Sequence, residues 1–134
     1  MKTTSPDAQQ LQNAIANLPS GQPVVMLNLL RFRDKAIYDG EPSELSGREA
    51  YGEYSKGALA CVAAVGGNVV WAGGAKAALI APPEEEWHQV LLVRYPSIEA
   101  FMEMIGSPEY RAVVGHRTAA LDDSRLIATI EEGR

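Results

Sequence analysis

Sulfur and imidazole are scarce in this chain: its 134 residues include one cysteine, Cys61, and two histidines, His88 and His116. A lone cysteine excludes an intrachain disulfide, and so few Cys and His leave no ligand spacing for zinc, so no metal site is expected. Positive charge is also thin. Twelve Lys and Arg, scattered rather than striped, stand against seventeen Asp and Glu for a net charge of -5, which argues against nucleic acid as a partner. No apolar run approaches the ~20 residues of a bilayer span, and the opening MKTTSPDAQQ is polar where a secretory signal would be apolar; the expectation is a cytoplasmic protein without a membrane partner. Gly66-Gly67 and Gly73-Gly74 complete neither G-x-G-x-x-G nor a Walker loop, and no G-x-S-x-G occurs, which argues against nucleotide and serine-hydrolase chemistry. Cys61 has no cation at neighbouring helical positions and reads as a small core residue.

What is present is enough apolar residue, 46%, to build one real core. The expectation is a single domain over 1–134, with a helical extension at 1–22, a core at 23–131 and a tail at 132–134. Its centre is PVVMLNLLRFR, Pro23 to Arg33, a nearly continuous apolar run interrupted by Asn28. Such a run suits an inner strand covered on both faces. Before it, Ser5-Pro6-Asp7 predicts a helix start with Ser5 as N-cap, followed by Leu11, Ile15 and Leu18 at helical spacing. After it, Asp34 to Ser46 shows no hydrophobic period and reads as a loop, either a solvated connection or a lid.

Ser46-Gly47-Arg48-Glu49 is a capping box that opens a helix to about Val65, with Ala50, Tyr54, Ala58, Cys61 and Val65 on its buried face and Tyr51 at the edge. Asn68 to Trp71 predicts a strand, with Ala77 to Ala81 as a continuation beyond a bulge, and Trp87 to Tyr95 predicts a second long apolar strand. A helix over Ile98 to Ile105 is followed by a new start at Ser107-Pro108-Glu109, and Leu126 to Ile130 predicts the last strand. In the helix after Ser107, the middle of the apolar sector formed by Tyr110, Val113, Val114 and Leu121 is held by Arg117.

Leaving the first helix aside, this order is strand, helix, strand, strand, helix, strand, the ferredoxin-like α+β arrangement. Its two helices cover one sheet face, yet the first strand is apolar on both: Val25, Leu27 and Leu29 alternate with Met26, Leu30 and Phe32. A second copy packed sheet to sheet would cover the open face, so a homodimer through that face is expected.

The combination GGNVVWAGG, RYPSIEAF and SPEYRAVVGHRTAAL before a short terminal strand resembles the bacterial family catalogued as domain of unknown function 1330, over roughly Val24 to Glu131. Tyr54, Gly66-Gly67, Tyr95-Pro96-Ser97, Ser107 to Tyr110 and Arg117 fall on its motif positions, while the leading helix and the loop from Asp34 depart from its shorter pattern. The resemblance implies a dimeric α/β barrel with a pocket between sheet and helices in each subunit. Arg117, Asn28 and Tyr54 are then the candidate catalytic residues, with Tyr51, Trp71, His116 and Arg31 as further candidates for substrate contact. A guanidinium inside an apolar sector either pairs with a carboxylate, Asp122, Asp123 or a glutamate, or binds a small oxygenated organic anion. Tyr54 is either a satisfied core phenol or a group aimed into the pocket. Arg31 lies on the opposite side of its strand from Asn28 and also suits the dimer face. His116 invites comparison with haem-degrading barrels, but its spacing does not match and no cofactor is expected. Two readings follow: a cofactor-independent isomerase, lyase or oxygenase, or a binding or structural dimer without turnover.

Overall fold

The computed structural model describes residues 1–132, so 133 and 134 of the expected tail lie outside the described residues. The central strand β1, Val24–Phe32, pairs antiparallel with β5, Gln89–Tyr95, on one side and with β6, Leu121–Thr129, on the other. The strand β4, Asn68–Gly74, adds to β5, giving the order β4-β5-β1-β6. The helices α2, Gly47–Ala64, and α3, Ile98–Ile105, with the short α4, Pro108–Arg111, and α5, Val114–Ala120, complete a ferredoxin-like α+β fold.

Alternation along β1 decides what is core. Val24, Met26, Leu30 and Phe32 are buried on the helix side, while Val25, Leu27 and Leu29 on the other side are half-buried. Two clusters fill the helix side. One joins Val24, Met26, Val93 and Tyr95 to Cys61, Phe101 and Met104; the other joins Leu30, Phe32 and Tyr51 to Ala119, Ala120 and Leu121. Ile15 and Leu18, from and just after the N-terminal helix α1, Ala8–Asn17, pack against the first cluster.

Helix starts follow the capping chemistry with one shift. Ser46 and Glu49 form the reciprocal capping box of α2, and Ser97 and Ser107 cap α3 and α4. The first helix is capped by Asp7 rather than Ser5: its carboxylate accepts from the Gln9 and Gln10 amides, satisfying free N–H groups of the first turn. At the other end of α2 the chain reverses through Gly66 at φ +83°, with the Gly67 amide donating to the Val62 carbonyl at 2.9 Å.

Several expectations are corrected. The segment 34–46 is not a plain loop: β2, Ile37–Tyr38, and β3, Glu41–Pro42, form a small hairpin around Asp39-Gly40, both at positive φ as a two-residue turn demands, and Ala36 is fully buried. The buried stripe of α2 is rotated toward Tyr51, leaving Tyr54 half-buried. No strand continues over Ala77 to Ala81; residues 75–88 form an irregular projection whose Leu79 and Ile80 are 93% and 99% exposed. The predicted helix after Ser107 divides into α4 and α5, and β6 begins at Leu121 instead of Leu126. Its acidic start is tolerated because the N-terminal segment lies along it: Lys2 Nζ meets Asp122 at 2.9 Å, the Thr3 amide donates to Asp123 at 2.9 Å, and Ser124 Oγ donates to the Thr3 carbonyl at 2.8 Å.

Candidate functional site

Between the helix-facing side of the sheet and α2, α3 and α5 lies a cleft of about 1440 Å³, edged by the N-terminal segment. Met26, Leu91, Val93 and Phe101 supply apolar wall, and Asn28, Tyr51, Tyr54, Tyr110 and Arg117 supply the polar groups used below. Asn28 reaches it because it shares the helix-facing side of β1 with Met26 and Leu30, opposite Leu91 and Leu126 in the neighbouring strands. Its Nδ2 makes a long contact of 3.3 Å with the Met26 carbonyl.

Tyr51 and Tyr54 stand one turn apart on α2 with ring centroids 5.2 Å apart. Tyr54 Oη and Tyr110 Oη share a hydrogen bond of 2.8 Å, with the rings edge to face at 5.9 Å. Burial pushes the Tyr51 phenol up to about 12, against the opposing charge of Arg117, and burial together with Tyr110 raises Tyr54 well above an ordinary phenol. Both phenols carry their proton at neutral pH, as ordinary phenols do, and in the Tyr54–Tyr110 bond either oxygen can be the donor.

Arg117 comes from α5, which packs closely on α2: a Cβ added at Gly57 would stand 2.5 Å from Val113 Cγ1, and Ala119 and Ala120 are buried at the same seam. Its Nη1 donates to the Thr4 carbonyl at 2.8 Å. Among the described residues no ion pair includes Arg117; Asp122 is held by Lys2 and Arg31, and Asp123 by Arg125. The carboxylate pairing considered from the sequence is thus not formed.

Arg117, Tyr51 and Tyr54 are brought together around one cleft, with Asn28 on its sheet wall. Trp71 is not: the bulge in β4 places it opposite Leu92 on the uncovered sheet face, 53% exposed. Arg31 points the same way, its Nε 3.3 Å from Asp122. His116 lies outside the cleft wall, with Nδ1 2.7 Å from Tyr38 Oη on the hairpin. Tyr110 and the strap of residues 1–4 were missed by sequence reasoning. The Ser-Pro-Glu-Tyr start contained Tyr110, but an apolar-face aromatic reads as packing until its neighbour is known. Among the described residues, no helix is long and apolar enough to cross a membrane, and no group of three His, Cys, Asp or Glu is placed to hold a metal ion.

Fold and cleft together define the class: a ferredoxin-like α+β protein with a polar-headed, apolar-walled cleft between sheet and helices. Residues 42–130 match the family described as Domain of unknown function (DUF1330), and the chain belongs to that family. It is similar to the crystal structure of RPA0582, a protein of unknown function from Rhodopseudomonas palustris, at 39% identity over 100% of both chains with a TM-score of 0.91. At the level of fold alone it is similar to At3g17210 from Arabidopsis thaliana, at 19% identity and TM-score 0.56 over 83% of this chain and 97% of that one. A putative antibiotic biosynthesis monooxygenase from Bacteroides thetaiotaomicron shares the fold at 17% identity and TM-score 0.52, over 82% and 90% of the two chains. No protein of curated function matches the chain.

Proposed function

We propose that the cleft binds a small oxygenated organic anion, its carboxylate or enolate oxygen on Arg117 and its apolar body against Met26, Leu91 and Phe101. The observation that carries this reading is the state of Arg117: a permanent cation that, among the described residues, pairs with no carboxylate and donates to the Thr4 carbonyl. The Tyr51 and Tyr54 hydroxyls line the same cleft and offer hydrogen bonds to the same anion, and Asn28 adds one amide. These groups stabilise negative charge on oxygen rather than abstract protons. Turnover without a cofactor, of the isomerase, lyase or oxygenase kind, therefore requires a substrate acidic enough to reach its enolate beside Arg117. A binding protein without turnover uses the same donors.

Benzoate and benzamide test this reading, being alike in shape and different in charge. Calorimetric titration is expected to show benzoate bound more tightly, and Arg117→Met to weaken benzoate by roughly 10-fold or more, as loss of a charged hydrogen bond of ~1.5–3 kcal/mol implies. Equal binding of the two probes, or a large loss of stability in Arg117→Met without a change in binding, would assign Arg117 to structure instead.

We further infer a homodimer through the uncovered sheet face, the arrangement of a dimeric α/β barrel. The register sets Trp71, Leu92, Leu27 and Ile127 in one row across all four strands, with Trp71 and Ile127 about half exposed at its ends. A continuous apolar row on an open sheet is the kind of surface that an isologous partner covers.

A further inference from the structure

Arg31, Arg33 and Lys35 occupy alternate positions of RFRDK at and beyond the end of β1, and all three line a second pocket of about 430 Å³ that shares only Phe32 with the cleft. Arg33 is its unusual member. Its Nε is shut off from solvent without a hydrogen-bond partner, and among the described residues no ion pair includes Arg33 or Lys35. An unpaired guanidinium donor is costly, and Arg33, only partly buried as a whole, lines the pocket where an anion can reach the rest of its side chain. The root of the side chain is fixed: the Arg33 amide donates to the Ala120 carbonyl at 2.9 Å and the Gly47 amide donates to the Arg33 carbonyl at 3.0 Å.

The acids of the pocket do not supply that acceptor. Asp122 is engaged by Lys2 at 2.9 Å and by Arg31 at 3.3 Å. His88 Nδ1 accepts from the Phe32 amide at 2.9 Å, so its proton sits on Nε2 and is given to Glu86 at 3.0 Å. Asp34 is exposed and stands alone against the two unpaired cations. We propose that this pocket is a second site, distinct from the cleft, for a small oxyanion, a phosphate or carboxylate group held by Arg33 with Arg31 and Lys35 at its rim. It takes this group as a free anion or at the end of a molecule whose remainder faces solvent.

Inorganic phosphate is the probe, added to the full chain at constant ionic strength with chloride as the balancing ion. The wild type is expected to show a saturable rise in melting temperature. Arg33→Gln is expected to weaken the apparent affinity by roughly tenfold or more, as for loss of a charged hydrogen bond. Lys35→Gln, at an exposed position that leaves the fold alone, is expected to weaken it by a smaller factor, and Arg117→Met to leave it unchanged. No saturable phosphate effect in the wild type overturns the site. So does an effect that survives Arg33→Gln and disappears in Arg117→Met, which would place the anion in the cleft. A third contrary result is a wild type indifferent to phosphate whose dimer falls apart on Arg33→Gln; the oxyanion would then be a carboxylate of a second copy.

Discussion

Tyr51 ties the chemistry of the cleft to the stability of the fold. Its phenol is pushed up to about 12 by burial, while in the unfolded chain it ionises near 10. Below pH ~10 both states are neutral and the contribution is fully present. Between pH ~10 and about 12 the unfolded state loses its proton first, so stability falls as pH rises, toward a loss of about 3 kcal/mol from this residue. Melting temperatures measured from pH 9 to 12 should decline more steeply in the wild type than in Tyr51→Phe; parallel curves would contradict the assignment. At this scale the sequence was legible where a polar residue interrupts an apolar pattern. Asn28 breaks an apolar run and Arg117 the middle of an apolar sector, and both line the cleft. Tyr110 breaks nothing, because an aromatic on an apolar face agrees with packing, and its 2.8 Å bond to Tyr54 depends on how two distant helices meet. Trp71 stands off the cleft for a similar reason: a one-residue bulge between Val69 and Trp71 decides its face, and composition does not announce the bulge.

Among the elements, α2 carries two glycines that show opposite reasons for being glycine. At Gly47 an added Cβ would lie 2.3 Å from the Arg33 carbonyl oxygen and 2.6 Å from that of Ala120, both main-chain atoms that a rotamer change cannot move. At Gly52 nothing lies within 4 Å. Alanine raises helix propensity at an interior position by ~1 kcal/mol, so Gly52→Ala should stabilise by roughly 0.5–1 kcal/mol. For Gly47→Ala the clash outweighs any propensity gain, and a loss of about 2–3 kcal/mol is expected. Denaturant midpoints of the two variants check both signs, and a neutral Gly47→Ala would mean that the Arg33–Ala120 contact yields. Capping chemistry is local and was readable: Ser46 with Glu49, Ser97 and Ser107 all cap helices. The break between α4 and α5 and the early start of β6 were not readable, because they are set by tertiary bonds. The Arg33 amide takes the Ala120 carbonyl, and the strap of residues 1–4 satisfies Asp122, Asp123 and Ser124, which look like loop residues in isolation.

For the whole molecule, the order of the main strands and helices was legible because β1 and β5 are long apolar runs and α2, α3 and α4 each carry a start signal. That order leads directly to a four-stranded sheet with helices on one side. The same logic exposes the other side. Leu27 and Leu92 pair across the middle of the sheet, and Trp71 and Ile127 extend their row to the neighbouring strands, so any single chain leaves this row in water. A specific interface needs roughly 800 Å² from each partner, which a four-stranded face is large enough to supply. Sedimentation at micromolar concentration should therefore give about twice the 14.4 kDa of one chain. Trp71→Asp places a charge at a position that is 53% exposed in the single chain and absent from the cleft wall. It should cost the subunit little while burying an unpaired carboxylate in the dimer. The expected result is a shift to the monomer with the benzoate affinity of the cleft retained. A wild type that sediments as a monomer would remove the dimer, and a Trp71→Asp variant that stays dimeric would move the interface off this face.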